Sequence, residues 1–460
     1  MKQNFVYGPT FDEMLHPDKI NADVRKRALE VAETSPLDPI NLYNITWKDR
    51  DNRVRHVVLP KALTNVDADI VVITGKYFPT GSHKVGATYS CTIEKQVGGS
   101  IAPGKNRLVW PSTGNYGIGG AYVGPRMGYT SLVILPERMS NERFEKIKWY
   151  GADYIATPGC ESNVKEIYDK THELEREKDT IIVNQFAEFG NYRFHYYVTG
   201  NSLLELFDDL KKTCGAKNFA GFVSAMGSAG TIGAGDRIKQ VHKGCRVVGL
   251  EPIQCPTLYN NGFGDHDIQG IGDKHATWIH NTDNMDALMC VDDMSCKKGM
   301  QAIAEEAGWK ALEELGVKAG EIESFAALFG ISGICNILGA IKTAKFYKLG
   351  KGDVIFTVAT DSLDRYFSIL DDLTKQFGKM DKGEAAKRIK SIFHGADTSW
   401  IREGDKLSRD SWANLKYYTW IEQQGKSIEE LRAQRNPEYW LAEQSKIPEI
   451  EKSILEQRSC

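Results

Sequence analysis

The chain has 460 residues, 41% hydrophobic and 26% charged, with a net charge of -3 and a pI of about 6.4. That is a globular composition, too long for one simple core, and it lacks the basic excess that would serve nucleic acid or an anionic membrane. No apolar run approaches the ~20 residues needed to span a bilayer, and nine scattered cysteines without a CxxC pair argue against a disulfide framework or a structural zinc site.

Residues 1–65 are mixed and polar, broken by Pro36, Pro39 and Pro60, and read as an extension wrapped on the body. The first stretch, MKQNFVYGPTFDEML, has no apolar h-region. The expectation is a cytoplasmic protein in a reducing compartment, with no bound metal. From about 70, short β-branched runs recur at 70–74, 131–135, 180–183, 245–250 and 353–358. Helix-like stretches such as 142–150 and 162–177 lie between them. Strands alternating with helices predict parallel α/β layers, with ligands at the C-terminal ends of the strands. After about 375 the strand rhythm stops. Residues 376–460 look helical and hold Trp400, Trp412, Trp420 and Trp440, aromatics suited to covering a subunit contact.

Three segments carry chemistry. Pro79-Thr80-Gly81-Ser82-His83-Lys84 follows the first strand and opens a helix, where a desolvated lysine amine can act as a nucleophile. Ser112-Thr113-Gly114-Asn115-Tyr116-Gly117 offers hydroxyls and free amides suited to a carboxylate or phosphate. Gly227-Ser228-Ala229-Gly230-Thr231 follows another strand and reads as a phosphate cradle. It has neither the lysine of a Walker A loop nor dinucleotide spacing. Taken singly, each segment also reads as an exposed turn or a helix cap.

Their order and spacing resemble the fold-type II pyridoxal-phosphate enzymes: cysteine synthase, cystathionine β-synthase and tryptophan synthase β. Asn184-Gln185-Phe186, Glu251-Pro252, Ile268-Gln269-Gly270-Ile271-Gly272, Gly330-Ile331-Ser332-Gly333 and Thr360-Asp361-Ser362-Leu363-Asp364-Arg365-Tyr366 extend the likeness. The resemblance covers roughly residues 70–370. It implies an α/β fold of two open, mostly parallel domains with the active site in the cleft between them. The large cofactor domain would comprise 66–105 and 201–375, the small substrate domain 106–200, with extensions at 1–65 and 376–460.

The same resemblance implies pyridoxal 5′-phosphate as cofactor, bound as a Schiff base to Lys84. Gly227, Ser228, Ala229, Gly230 and Thr231 would hold its phosphate, and Asn115 would face its 3′-oxygen. Ser362 would meet the pyridine nitrogen and, as a neutral hydroxyl, leave it mostly unprotonated, favouring expulsion of a β-substituent. Ser112, Thr113, Gly114, Asn115 and Gln185 would grip the substrate carboxylate. The implied reaction is β-elimination or β-replacement on a small L-amino acid through an aminoacrylate. Sulfur chemistry is expected, of the cysteine desulfhydrase or cysteine synthase kind, in a homodimer. A serine/threonine dehydratase, a tryptophan synthase β-like synthase and a non-catalytic paralogue are the alternatives. Pro111 and Ser112 stand where tryptophan synthase β has its glutamate, which speaks against indole chemistry. Cys255 is expected to be buried and inert, His83 to be structural or near the phosphate, and His266 and His275, which flank the Gln269-Gly270-Ile271-Gly272 segment, to be solvated loop histidines rather than to reach the substrate mouth.

Overall fold

In the computed structural model, which describes residues 8–112, 114–159 and 163–458, two sheets carry the chain. Eleven strands are described: β1 (His56–Val58), β2 (Asp69–Thr74), β3 (Arg107–Pro111), β4 (Thr130–Pro136), β5 (Asp153–Thr157), β6 (Thr180–Ile182), β7 (Asn218–Ala225), β8 (Arg246–Pro252), β9 (Ala287–Val291), β10 (Asp353–Ala359) and β11 (Ile401–Glu403). The larger sheet has the order β1-β2-β10-β7-β8-β9-β11, the smaller β5-β4-β3-β6. All pairings are parallel except β1 with β2 and β11 with β9. β2, β10, β7 and β8 are buried along almost their whole length, because helices cover both faces and β-branched and aromatic side chains fill them.

The expected strands appear within a residue or two of their predicted positions. The two edges differ from expectation. Residues 56–58 of the N-terminal extension and 401–403 of the C-terminal one each add a short antiparallel strand, sealing edges that would otherwise present unpaired backbone. Beyond 403 the chain is helical and lies on its own body. Trp412, Trp420 and Trp440 are buried there, Trp420 against Trp278 and Trp440 against Tyr192. No helix among the described residues is long and apolar enough to cross a membrane.

Six of the segments that the sequence singled out follow strands, whereas residues 330–333 open the helix Ile331–Phe346 and Glu251-Pro252 close β8. The lysine segment follows β2, residues 112–117 follow β3, residues 184–186 follow β6, the 227–231 loop follows β7, the 268–272 loop follows β8 and residues 360–366 follow β10. Parallel topology therefore gathers them at one end of the two sheets.

Candidate active site

Lys84 is the first residue of the helix Lys84–Val97. Its backbone amide donates to Ser82 Oγ over 3.3 Å, and its side chain turns inward, only 9% exposed, so that Nζ donates to Ser228 Oγ over 3.1 Å. His83 stacks on Trp47 of the N-terminal extension, with 5.5 Å between ring centroids, and meets His195 edge-on at 5.0 Å. Burial, reinforced by the nearby Lys84 charge, holds both imidazoles well below their ordinary pKa, so they are neutral near pH 7. His83 is thus a packed wall of the lysine segment.

The 227–231 loop is shaped by contacts that exclude side chains. A Cβ on Gly227 would lie 2.7 Å from the Gly270 carbonyl, and one on Gly230 would lie 2.2 Å from Asn191 Oδ1. Ala229 takes a left-handed φ of 58°. The amides of Ser228, Ala229, Gly230 and Thr231 donate to no protein acceptor among the described residues, and they stand ahead of the helix Ile232–Val241. Unmet amides at a helix N-terminus form an anion cradle. Asn191, which sequence reasoning missed, braces this loop. Its Nδ2 donates to Ser228 Oγ and to the Gln185 carbonyl, each over 3.0 Å. No local pattern marks Asn191, because its partners lie in two other segments.

On the smaller sheet, Ser112 Oγ accepts the amides of Gly114 (2.9 Å) and Gly117 (2.8 Å), which curls the loop after β3. Gly114 has φ +149°, and a Cβ there would strike Arg143. Thr113, expected to bind substrate, lies outside the described residues. Gln185, which follows β6, is buried at 3% exposure. Asn115 is held across the cleft. Its Nδ2 donates to Asp361 Oδ2 over 2.7 Å, while its Oδ1 accepts from Arg365, which also donates to the Thr80 carbonyl. Arg143 adds bonds to Gln269 (3.1 Å) and to the Tyr366 hydroxyl (2.9 Å). The two sheets are joined by buried, hydrogen-bonded charge.

Ser362 does not present a free hydroxyl. Its Oγ donates to Asp364 Oδ1 over 2.6 Å, since a carboxylate two residues on is the strongest acceptor in reach. Ser332 instead has a buried Oγ without a partner among the described residues. It opens the helix Ile331–Phe346 one turn before Asn336, which donates to the Val358 carbonyl and accepts the Ala225 amide. That fixes Ser332 at the ends of β7 and β10. The sequence marked 330–333 only as a glycine turn, without weighing the serine inside it.

Residues 74–360 match the model of the family described as "Pyridoxal-phosphate dependent enzyme". The chain belongs to that family. Among curated relatives, a cysteine synthase of Staphylococcus aureus is 31% identical over 302 residues, 65% of this chain and 88% of the relative. The cystathionine beta-synthase of Saccharomyces cerevisiae is 30% identical over 258 residues, covering 54% of this chain and 50% of that protein. Among solved structures, a cysteine synthase of Entamoeba histolytica superposes with a TM-score of 0.60 at 23% identity, over 74% of this chain and 92% of the other. A hydrogen sulfide-producing enzyme of Fusobacterium nucleatum gives 0.56 at 27%, over 70% and 88%.

As a pyridoxal-phosphate dependent enzyme acting at an amino-acid β-carbon, the chain takes pyridoxal 5′-phosphate as cofactor. The residues present fit that group. The 227–231 loop supplies a cradle of unmet amides, Lys84 supplies a buried amine at its rim, and Ser332 supplies an orphaned hydroxyl at the strand ends.

Proposed function

We propose that this enzyme carries out β-elimination or β-replacement on a small L-amino acid, with sulfur at the β-position of substrate or product, and that Lys84 is its cofactor lysine. One observation carries the reading: the Lys84 amine reaches the rim of the amide cradle, 3.1 Å from Ser228 Oγ. The likeness to cysteine synthases and to a hydrogen sulfide-producing enzyme supports the sulfur chemistry.

In this reading the amides of Ser228, Ala229, Gly230 and Thr231 hold the phosphate. The Ser332 hydroxyl, rather than that of Ser362, meets the ring nitrogen. A neutral partner there keeps the nitrogen mostly unprotonated, as the sequence reading wanted of Ser362. When bound, the cofactor supplies an electron sink for the substrate's α-carbon. The chain supplies orientation and proton transfer. Ser112, Gly114, Asn115 and Gln185 orient the substrate carboxylate, and Lys84, buried beside the cradle, takes the α-proton. We assign the cofactor half to 66–105 and 201–375, the substrate half to 106–200, and a homodimeric cytoplasmic state to the whole.

Borohydride reduction of the cofactor-loaded protein, followed by peptide mass analysis, should place the label on Lys84. A panel of cysteine, O-acetylserine, serine and threonine should then release sulfide or build a thioether or thiol. Release of 2-oxobutyrate from threonine as the dominant activity would replace this reading with a dehydratase.

A further inference from the structure

Asp273 follows the 268–272 loop and is 5% exposed, and neither of its carboxylate oxygens has a hydrogen-bond partner among the described residues. A buried carboxyl left unsatisfied is costly unless function retains it. Its backbone is fixed from several directions. The Gly272 amide donates to the Met226 carbonyl, just before the phosphate cradle, over 2.9 Å. Thr257 Oγ1 donates to the Asp273 carbonyl, and Thr277 Oγ1 to the Ser228 carbonyl, each over 2.9 Å. The loop is therefore stitched to the cradle that Lys84 touches.

Three titratable side chains feel the Asp273 charge: Lys84 from the lysine helix, Tyr168 from the helix Val164–Leu174, and Cys255 after β8. Burial pushes the Tyr168 phenol far up and the Cys255 thiol to about 11, so both are neutral near pH 7. His275, hydrogen-bonded to Tyr168, is driven by burial to about 3 and is neutral as well. Lys84 is the one cation among them. Burial raises the Asp273 carboxyl to about 7 and the Lys84 charge opposes the rise, so both protonation states are accessible near neutrality.

We propose that Asp273 is a second proton-transfer group of this site, serving the substituent at the substrate's β-carbon. The inference rests on Lys84 being the cofactor lysine, and it deepens that reading by naming the substrate class. In elimination, Lys84 takes the α-proton and the released electron pair becomes the second bond between Cα and Cβ. The bond from Cβ to sulfur or oxygen breaks, its pair stays with that atom, and the Asp273 carboxyl proton joins it. A neutral thiol or water leaves and a carboxylate remains. In the opposite direction a lone pair of an entering thiol or water forms the bond to Cβ, and its proton passes to the carboxylate. A leaving group such as acetate needs no such proton, and an entering hydrosulfide ion would be repelled by a carboxylate. Asp273 therefore fits amino acids with an unactivated β-thiol or β-hydroxyl, cysteine before O-acetylserine.

The test compares Asp273→Asn and Asp273→Ser with the unaltered enzyme on two kinds of substrate. Elimination from cysteine and serine should fall by ~10²-fold or more, the weight of one general acid, while acetate release from O-acetylserine holds. Equal losses on both kinds, or none on either, overturn the proposal. In infrared spectra of the cofactor-free protein, the carboxylic acid intensity that titrates near neutrality should fall by one carboxyl in both variants, with Glu251 and Asp236 supplying the rest; intensity that falls in neither variant also overturns it. If neither variant folds, solvent isotope effects on the unaltered enzyme decide: thiol release should slow in deuterated water more than acetate release, and equal slowing overturns the assignment. Should borohydride label a residue other than Lys84, the underlying reading fails instead; a loaded enzyme labelled at Lys84 with uniform losses sinks only the role of Asp273.

Discussion

Lys84 Nζ and Ser228 Oγ, 144 residues apart in sequence, meet at 3.1 Å, and the same Ser228 oxygen accepts from Asn191. Ser228→Ala removes the acceptor of two buried donors at once. Each buried hydrogen bond lost is worth about 0.5–1.5 kcal/mol. Cofactor affinity should fall by about tenfold or more, at 1.4 kcal/mol per tenfold, when the cofactor-free protein is titrated with pyridoxal phosphate. Gly230→Ala should be worse, because its Cβ would come 2.2 Å from Asn191 Oδ1 and push the brace off the loop. Unchanged affinity in both variants would mean that this loop does not hold the phosphate.

Ser332 and Ser362 make opposite forecasts. Ser332→Ala removes a hydroxyl that has no partner among the described residues, so the cofactor-free protein should lose almost no stability. Loaded with cofactor, that variant should show an altered absorption spectrum and slower turnover. Ser362→Ala breaks the bond to Asp364 and should cost about 0.5–1.5 kcal/mol in thermal unfolding, leaving the spectrum in place. A normal spectrum in Ser332→Ala with a changed one in Ser362→Ala would return the ring-nitrogen role to Ser362.

Local pattern made the layers and loops legible. Runs such as 70–74 and 353–358 are apolar because parallel strands are covered on both faces, and Lys84 and Ser228 stand in loops whose glycines and hydroxyls mark them. Asn191 and Asp273 were not legible, since each acts through groups distant in sequence, and a lone Asn or Asp in a polar stretch looks solvated. Ser332 was hidden by the attention its flanking glycines drew. The edge strands 56–58 and 401–403 escaped notice because three residues carry too little periodicity to announce a strand.

Glu251, next to last in β8, has its carboxyl group accepting the amides of Leu258 (2.8 and 3.1 Å) and Tyr259 (3.2 Å). Burial nonetheless raises its pKa from the ordinary 4.5 to about 8, with those amides opposing the shift. Between pH 4.5 and 8 the folded chain keeps a proton here that the unfolded chain has released. This group's contribution to stability therefore falls as pH rises through that window, and it levels off above 8. Glu251→Gln keeps an acceptor for the amides and cannot ionise. Its stability relative to the unaltered protein should rise from pH 5 to pH 8 in denaturant titrations; a difference that stays constant with pH would show that Glu251 titrates normally.

The C-terminal helices lie beyond the matched family region, yet they grip the loop that carries Asp273. Trp420 Nε1 donates to the Ala276 carbonyl over 2.7 Å, and the buried Lys416 amine donates to the carbonyls of Trp278 (3.1 Å) and His280 (2.7 Å). Trp420→Phe keeps most of the ring packing and loses one hydrogen bond, worth about 0.5–1.5 kcal/mol. Trp420→Ala also empties a buried site, at about 3–5 kcal/mol. Residues 272–280 run from the Met226 carbonyl through Thr277 to the Phe186 carbonyl, so loosening them moves both the cradle and the substrate side. Trp420→Phe should therefore raise KM and weaken cofactor binding together, by a few-fold, at a temperature where the protein is fully folded. A variant that unfolds more readily but keeps both constants would make this segment a purely structural cover.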